Sequence, residues 1–178
     1  MVKKIRDFRR DLPILSISRS QPRLHYPVLP LKHVFCDLSN VARTSNCFSE
    51  IKAFLKGLEK DGKLLVINNS GVGAYGHFPE DDIEKLGGVI DLNVRGVVHL
   101  TCLLIPSLKT RGGSIVNVSS LAAFQPTPYL SVYGATKAFL LHWSLSLGEE
   151  LRTKGVKVLA VCPGPVKTNF FRAAGFKR

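Results

Sequence analysis

Residues 114–120 read SIVNVSS, and residues 133–137, thirteen positions beyond Ser120, read YGATK. The first stretch is short, apolar and β-branched and ends in hydroxyls, the pattern of a buried strand over 114–119 with a polar exit. The second opens a long apolar-periodic segment that predicts a helix over 133–152. Working outward, 64–67 (LLVI) is a strand running into Asn68-Asn69-Ser70-Gly71, and 156–162 (VKVLAVC) is a strand running into Pro163-Gly164. Between them, 81–109 carries a helical pattern through Ile90, Leu92, Val94, Val97, Val98 and Leu100. Upstream, 12–18 (LPILSIS) and 33–36 (HVFC) read as strands, and 46–60 as an amphipathic helix. Pro22, Pro27 and Pro30 exclude a long regular helix between those two strands. Apolar strands alternating with helices predict one α/β domain with a doubly wound parallel sheet. In open sheets of that kind ligands bind beyond the carboxyl ends of the strands. Three of these ends carry the polar runs NNSG, SS and PGPVKT.

The spacing Tyr133-x-x-x-Lys137 puts a phenol and an ammonium on one helical face. A free tyrosine ionises near pH 10, too high for proton transfer at neutrality, and a neighbouring cation favours the phenolate. The pair then serves as a general acid/base. Taken alone the pattern is weak and better describes a surface lysine beside a half-buried tyrosine. Ser120 supplies a hydroxyl for a substrate oxygen, and Asn93 is a polar residue inside an apolar helix that needs a hydrogen-bonding reason. Ser119 competes with Ser120, because adjacent strand residues face opposite ways.

Together these residues resemble the classical short-chain dehydrogenase/reductase family. Asn69-Ser70-Gly71 is similar to its N-A-G motif with Ser in place of Ala. Asn93, Ser120, Tyr133 and Lys137 match its catalytic tetrad in order and spacing, and Pro163-Gly164 with Val166 and Thr168 match the segment over the nicotinamide. The resemblance runs from about residue 12 to 169. It implies a Rossmann-like fold and an NAD(P)-dependent oxidoreductase interconverting an alcohol and a ketone or aldehyde. In that role Tyr133 moves the proton, Lys137 lowers its pKa and binds the nicotinamide ribose, Ser120 orients the carbonyl, and Asn93 holds a relay water. It also implies that Arg19, after the first strand, selects NADP over NAD, which stays possible. Asp37-Leu38 would contact adenine, although Asp37 alone reads as a turn residue. The helices holding Asn93 and Tyr133 imply a homodimer or homotetramer, and Phe139, Trp143, Leu147 and Leu151 form either core or interface.

The family's opening strand and T-G-x-x-x-G-x-G loop are not found, and residues 1–11 (MVKKIRDFRRD) contain no glycine. The domain, taken as 12–178 after a basic segment 1–11, is therefore expected to lack its first β-α unit. An impaired relative acting as a binding module is the competing reading. The 178 residues carry 25 basic and 13 acidic side chains, net +12. That charge attracts anions without choosing among them. The basic residues are scattered with no recognition motif, so nucleic acid is not the expected partner; a small carbonyl or alcohol is. The longest apolar run, Val97 to Pro106, is short of a membrane span and no signal-peptide core is legible, so a cytoplasmic protein without stable membrane insertion is expected. Cys36, Cys47, Cys102 and Cys162 lack metal or disulfide spacing and read as buried thiols; no metal is expected.

Overall fold

The computed structural model describes residues 12–22, 31–40, 45–59, 61–78, 83–166 and 168–176. The basic segment 1–11, the residues Pro27 and Pro30, and the acids Glu80, Asp81 and Asp82 lie outside them. The chain divides into two compact units, residues 1–60 and 61–178.

In the first unit β1 (Ile14–Ser18) pairs in parallel with β2 (Leu31–Phe35), Ile14 opposite Leu31 and Ser18 opposite Phe35. The ladder continues one bond further, from Cys36 N–H to the Ser18 carbonyl at 3.1 Å. Helix α1 (Ser45–Lys56) buries Cys47 and Ile51, one turn apart, and Val34, Cys36 and Leu38 are buried as well. The Cys47 thiol donates to the Phe35 carbonyl at 3.3 Å. Burial, with the Cys47 thiol next in importance, pushes the Cys36 thiol up to about 12. It is a neutral core group.

In the second unit β3 (Leu64–Asn68), β4 (Gly113–Val118) and β5 (Val156–Val161) form a parallel sheet in the order β3-β4-β5. Register aligns Leu64, Gly113 and Val156 at one end and Asn68 with Asn117 near the other. Gly113 has φ +146°, and a Cβ there would collide with the Leu64 carbonyl, so only glycine starts this strand so close to its neighbour. The crossovers are α2 (Ile83–Arg111) and α3 (Ser131–Arg152). Leu104, Leu108, Leu140 and Leu151 of these helices and Ile115 and Val156 of the sheet are buried. On the other face the alternation brings out Leu65, Leu159 and Val161, all exposed.

The α/β fold with parallel strands is as expected; among the described residues the strands pair as β1-β2 and β3-β4-β5. Two other expectations change. Cys102 is exposed rather than buried, because it sits beside Thr101 on a helix whose buried stripe passes through Thr101 and Leu104. Helix α2 is also long and apolar enough, by length and composition, to cross a membrane, although no run of 20 apolar residues is legible. In this structure its Leu92, Val97, Leu100, Leu104 and Leu108 are buried in the protein. Two short elements were not read from the sequence: a 3-10 turn at Leu121–Ala123 and α4 (Phe170–Ala174).

Candidate active site

The carboxyl ends of β3, β4 and β5 converge. Ser119 N–H donates to the Val161 carbonyl at 2.8 Å and Leu121 N–H to the Pro163 carbonyl at 3.1 Å. Pro163-Gly164 therefore lies along the turn that follows Ser120. The first turns of α3 bring Tyr133 and Lys137 to the same place.

Tyr133 is buried, its ring among Ala74 and Val89, with Leu86, Val132 and Phe170 packed against that cluster. Phe170 from α4 lies 5.0 Å from it, centroid to centroid. Burial pushes the Tyr133 phenol above its ordinary value, and a hydrogen bond with Ser120 pulls it down. Lys137 is not one of the causes of that shift. Its ammonium lies 5.7 Å from the ring centroid and donates to the Val118 carbonyl at 2.8 Å. Desolvation controls Lys137 too, bringing it down to about 8, with Cys162 acting weakly the other way.

The two serines separate as strand alternation demands. Ser120 bonds Tyr133 and caps the 3-10 turn, its Oγ accepting from Ala122 N–H at 3.2 Å. Ser119, 3% exposed, turns its hydroxyl to the Lys137 carbonyl at 2.7 Å.

Asn93 lies in a π-helical turn (Asp91–Gly96) within α2 and is wholly buried. Its Oδ1 accepts from Val72 N–H at 3.0 Å, and its Nδ2 donates to the Val72 carbonyl at 2.9 Å and to Thr136 Oγ1 at 3.0 Å. Thr136 in turn donates to the Tyr133 carbonyl at 2.7 Å. The side-chain amide of Asn93 thus ties the loop after β3 to α3. Thr136 was missed in the sequence, although a polar residue on the buried face between Tyr133 and Lys137 was its signal.

Gly71 completes the site. A Cβ there would stand 3.3 Å from Lys137 Nζ and 3.4 Å from Asn93 Oδ1, so glycine keeps a cradle open between them. Asn69 is exposed and Ser70 half-buried beside it. A cofactor's ribose hydroxyl brought to Gly71 would find the Lys137 ammonium as its donor, while the Asn93 amide is wholly buried and bonded within the protein. Val166 is exposed, and Thr168 Oγ1 accepts from Phe170 N–H at 3.2 Å at the start of α4. Arg19, Asp37 and Leu38 belong to the first unit. Arg19 is exposed at the end of β1, Leu38 is buried, and Asp37 Oδ1 accepts from the N–H and hydroxyl of Ser39 at 3.0 and 2.6 Å.

Known proteins share this fold. A family model described as short chain dehydrogenase matches residues 28–177. The very-long-chain 3-oxoacyl-CoA reductase of Mus musculus is 33% identical over 171 residues, covering 90% of this chain and 53% of its own length. The chain thus spans about half of that relative. A short-chain dehydrogenase from Sphingobium yanoikuyae in complex with NADPH superposes with a TM-score of 0.70 at 31% identity, over 83% of this chain and 56% of its own. A 4-hydroxyisoleucine dehydrogenase complexed with NADH and succinate superposes with 0.81 at 22% identity, over 95% and 72%, a likeness of fold. With parallel strands, the Tyr133-x-x-x-Lys137 helix and these matches in agreement, the chain belongs to the short-chain dehydrogenase family of oxidoreductases.

Proposed function

We propose that the chain interconverts an alcohol with a ketone or aldehyde, using NADP(H). The observation that carries this reading is the convergence of Tyr133, Ser120 and Lys137 around the Gly71 cradle. When bound, the nicotinamide supplies or accepts hydride. The protein's part is proton transfer and positioning. Tyr133 gives its phenolic proton to the substrate oxygen during reduction and takes it back during oxidation. Ser120, bonded to that phenol, holds the same oxygen in line. Lys137 donates to a ribose hydroxyl while its bond to Val118 fixes its direction. Its positive charge favours phenolate at the moment the proton leaves. Asn93 and Thr136 hold the loop carrying Gly71 against α3. Phe170 keeps water from the tyrosine ring.

NADP(H) is favoured over NAD(H) by Arg19, whose guanidinium matches a 2′-phosphate and has no carboxylate at its place after β1. The NADPH complex of the Sphingobium relative supports the same choice. The reading extends to a homodimer or homotetramer, supported by the Phe139–Trp143 ring stack at 6.0 Å on α3, where Phe139 is exposed. A cytoplasmic location is part of the same proposal.

The test incubates the chain with NADPH and a panel of ketones and aldehydes and follows nucleotide oxidation, beside Tyr133→Phe. Turnover lost in the variant supports the assignment. Saturable NADPH binding without turnover on any carbonyl supports instead a binding module.

A further inference from the structure

A chain of four buried polar side chains crosses the second unit below the site, and the proton transfer proposed above makes no use of it. Asn68 Nδ2 donates to Thr101 Oγ1 at 3.2 Å and to Asn117 Oδ1 at 2.8 Å. Asn117 Nδ2 donates to Ser144 Oγ at 2.8 Å, and Ser144 Oγ donates to the Leu140 carbonyl at 2.5 Å. All four residues are at most 7% exposed. The chain joins α2, β3, β4 and α3, and each bond has a single direction. Two residues on, Ser119 Oγ reaches the Lys137 carbonyl, and Lys137 Nζ returns to Val118.

Strand β4 therefore grips α3 at two points. Asn117 holds Ser144, and Ser119 holds Lys137, seven residues earlier on the same helical face. The order is reversed along the helix, as a crossover returning antiparallel to its strand requires. One attachment fixes a helix's distance but leaves it free to turn; two fix its turn and its slide. Apolar contacts would hold the same helix with less register preference, because dispersion is not directional. A slip of one residue moves a helix by about 1.5 Å, and misplacement by about 1 Å costs a reacting group on the order of a hundredfold.

We propose that Asn117, Ser144 and Ser119 are positioning residues, a two-point polar clamp that holds α3 in one register on β4 and thereby sets where Lys137 and Tyr133 stand. The proposal rests on the active-site reading for its functional meaning, but its test reads a side chain and not turnover. The groups facing the Lys137 ammonium are the Val118 carbonyl, the Tyr133 ring and the Cys162 thiol.

The full chain, labelled with 13C at lysine Cε, is titrated by NMR, the Lys137 signal being the one missing from Lys137→Met. In the wild type this signal is expected to titrate near 8, below the other lysines. Ser119→Ala and the double variant Ser119→Ala/Ser144→Ala loosen the clamp and let water reach the ammonium. The expected result is a rise in its proton affinity of about threefold or more, half a pH unit. Ser144→Thr keeps the hydroxyl and is expected to titrate as the wild type. An unchanged Lys137 titration in folded Ala variants overturns the clamp. So does a wild-type Lys137 that titrates with the other lysines, or a Thr variant displaced as far as the Ala one. Should the double variant not fold, Ser119→Ala alone decides. Absent turnover in a wild type with the low titration counts against the oxidoreductase reading and leaves the clamp standing.

Discussion

Asn93 pairs with Val72 as one strand residue pairs with another: its amide oxygen takes the Val72 N–H at 3.0 Å and its amide nitrogen gives to the Val72 carbonyl at 2.9 Å. The side chain thus satisfies both backbone groups of a loop residue that has no strand partner there. A third bond, to Thr136, carries the link to α3. Replacing Asn93 by Ala leaves these groups without partners in a buried place. The expected loss is about 3 kcal/mol of unfolding free energy, several donors and acceptors each costing about 1–3. Denaturant melts of Asn93→Ala and wild type measure it, and a loss below about 1 kcal/mol contradicts the stapling role.

Tyr133→Phe keeps the ring contact with Phe170 and removes only the hydroxyl. Carbonyl reduction is expected to fall at least tenfold, while NADPH affinity stays within about threefold because the Lys137 donor is untouched. Initial rates and a fluorescence titration check the two halves separately. Retention of more than a tenth of turnover removes Tyr133 from the acid/base role.

Burial of Lys137 makes stability depend on pH. A lysine brought from 10.5 to about 8 binds fewer protons in the folded state than in the unfolded one between those values. Stability from this group therefore rises as pH goes from about 8 to about 10.5, and the whole cost, on the order of 3 kcal/mol, is present below 8. Lys137→Met carries no charge to desolvate. Its stability relative to wild type is expected to decline steadily over that window and to be level below it. Paired urea melts at several pH values decide; a difference that does not change with pH refutes the buried ammonium.

Arg19→Asp replaces a group suited to phosphate by one suited to a ribose hydroxyl. The ratio of kcat/KM for NADPH over NADH is expected to drop at least tenfold. An unchanged ratio removes Arg19 from cofactor selection.

Periodicity alone located every strand of the second unit and both long helices, with ends differing by one or two residues, because apolar alternation is the dominant force on a buried strand. The nearness of Tyr133 and Lys137 was legible for a similar reason: four residues apart is one helical face whatever else the chain does. Their protonation was not. The Tyr133 phenol stands above its ordinary value because surrounding residues remove water from it, and the Lys137 ammonium turns to a carbonyl on a strand nineteen residues upstream. Desolvation is a property of the whole packed shell, and no local spacing encodes it. The division of labour between Ser119 and Ser120 followed from strand alternation only once family spacing had picked the outward one. The partner of each, Lys137 carbonyl or Tyr133 phenol, was decided by where α3 lands on β4. The same holds for Asn93, Thr136 and the Asn68–Asn117–Ser144 chain. The sequence by itself determined which residues are apolar, which helix carries Tyr133 and Lys137 and which strand ends are polar. Tertiary structure alone decided which polar groups meet, because hydrogen bonds are directional and short while the residues that make them are tens of positions apart.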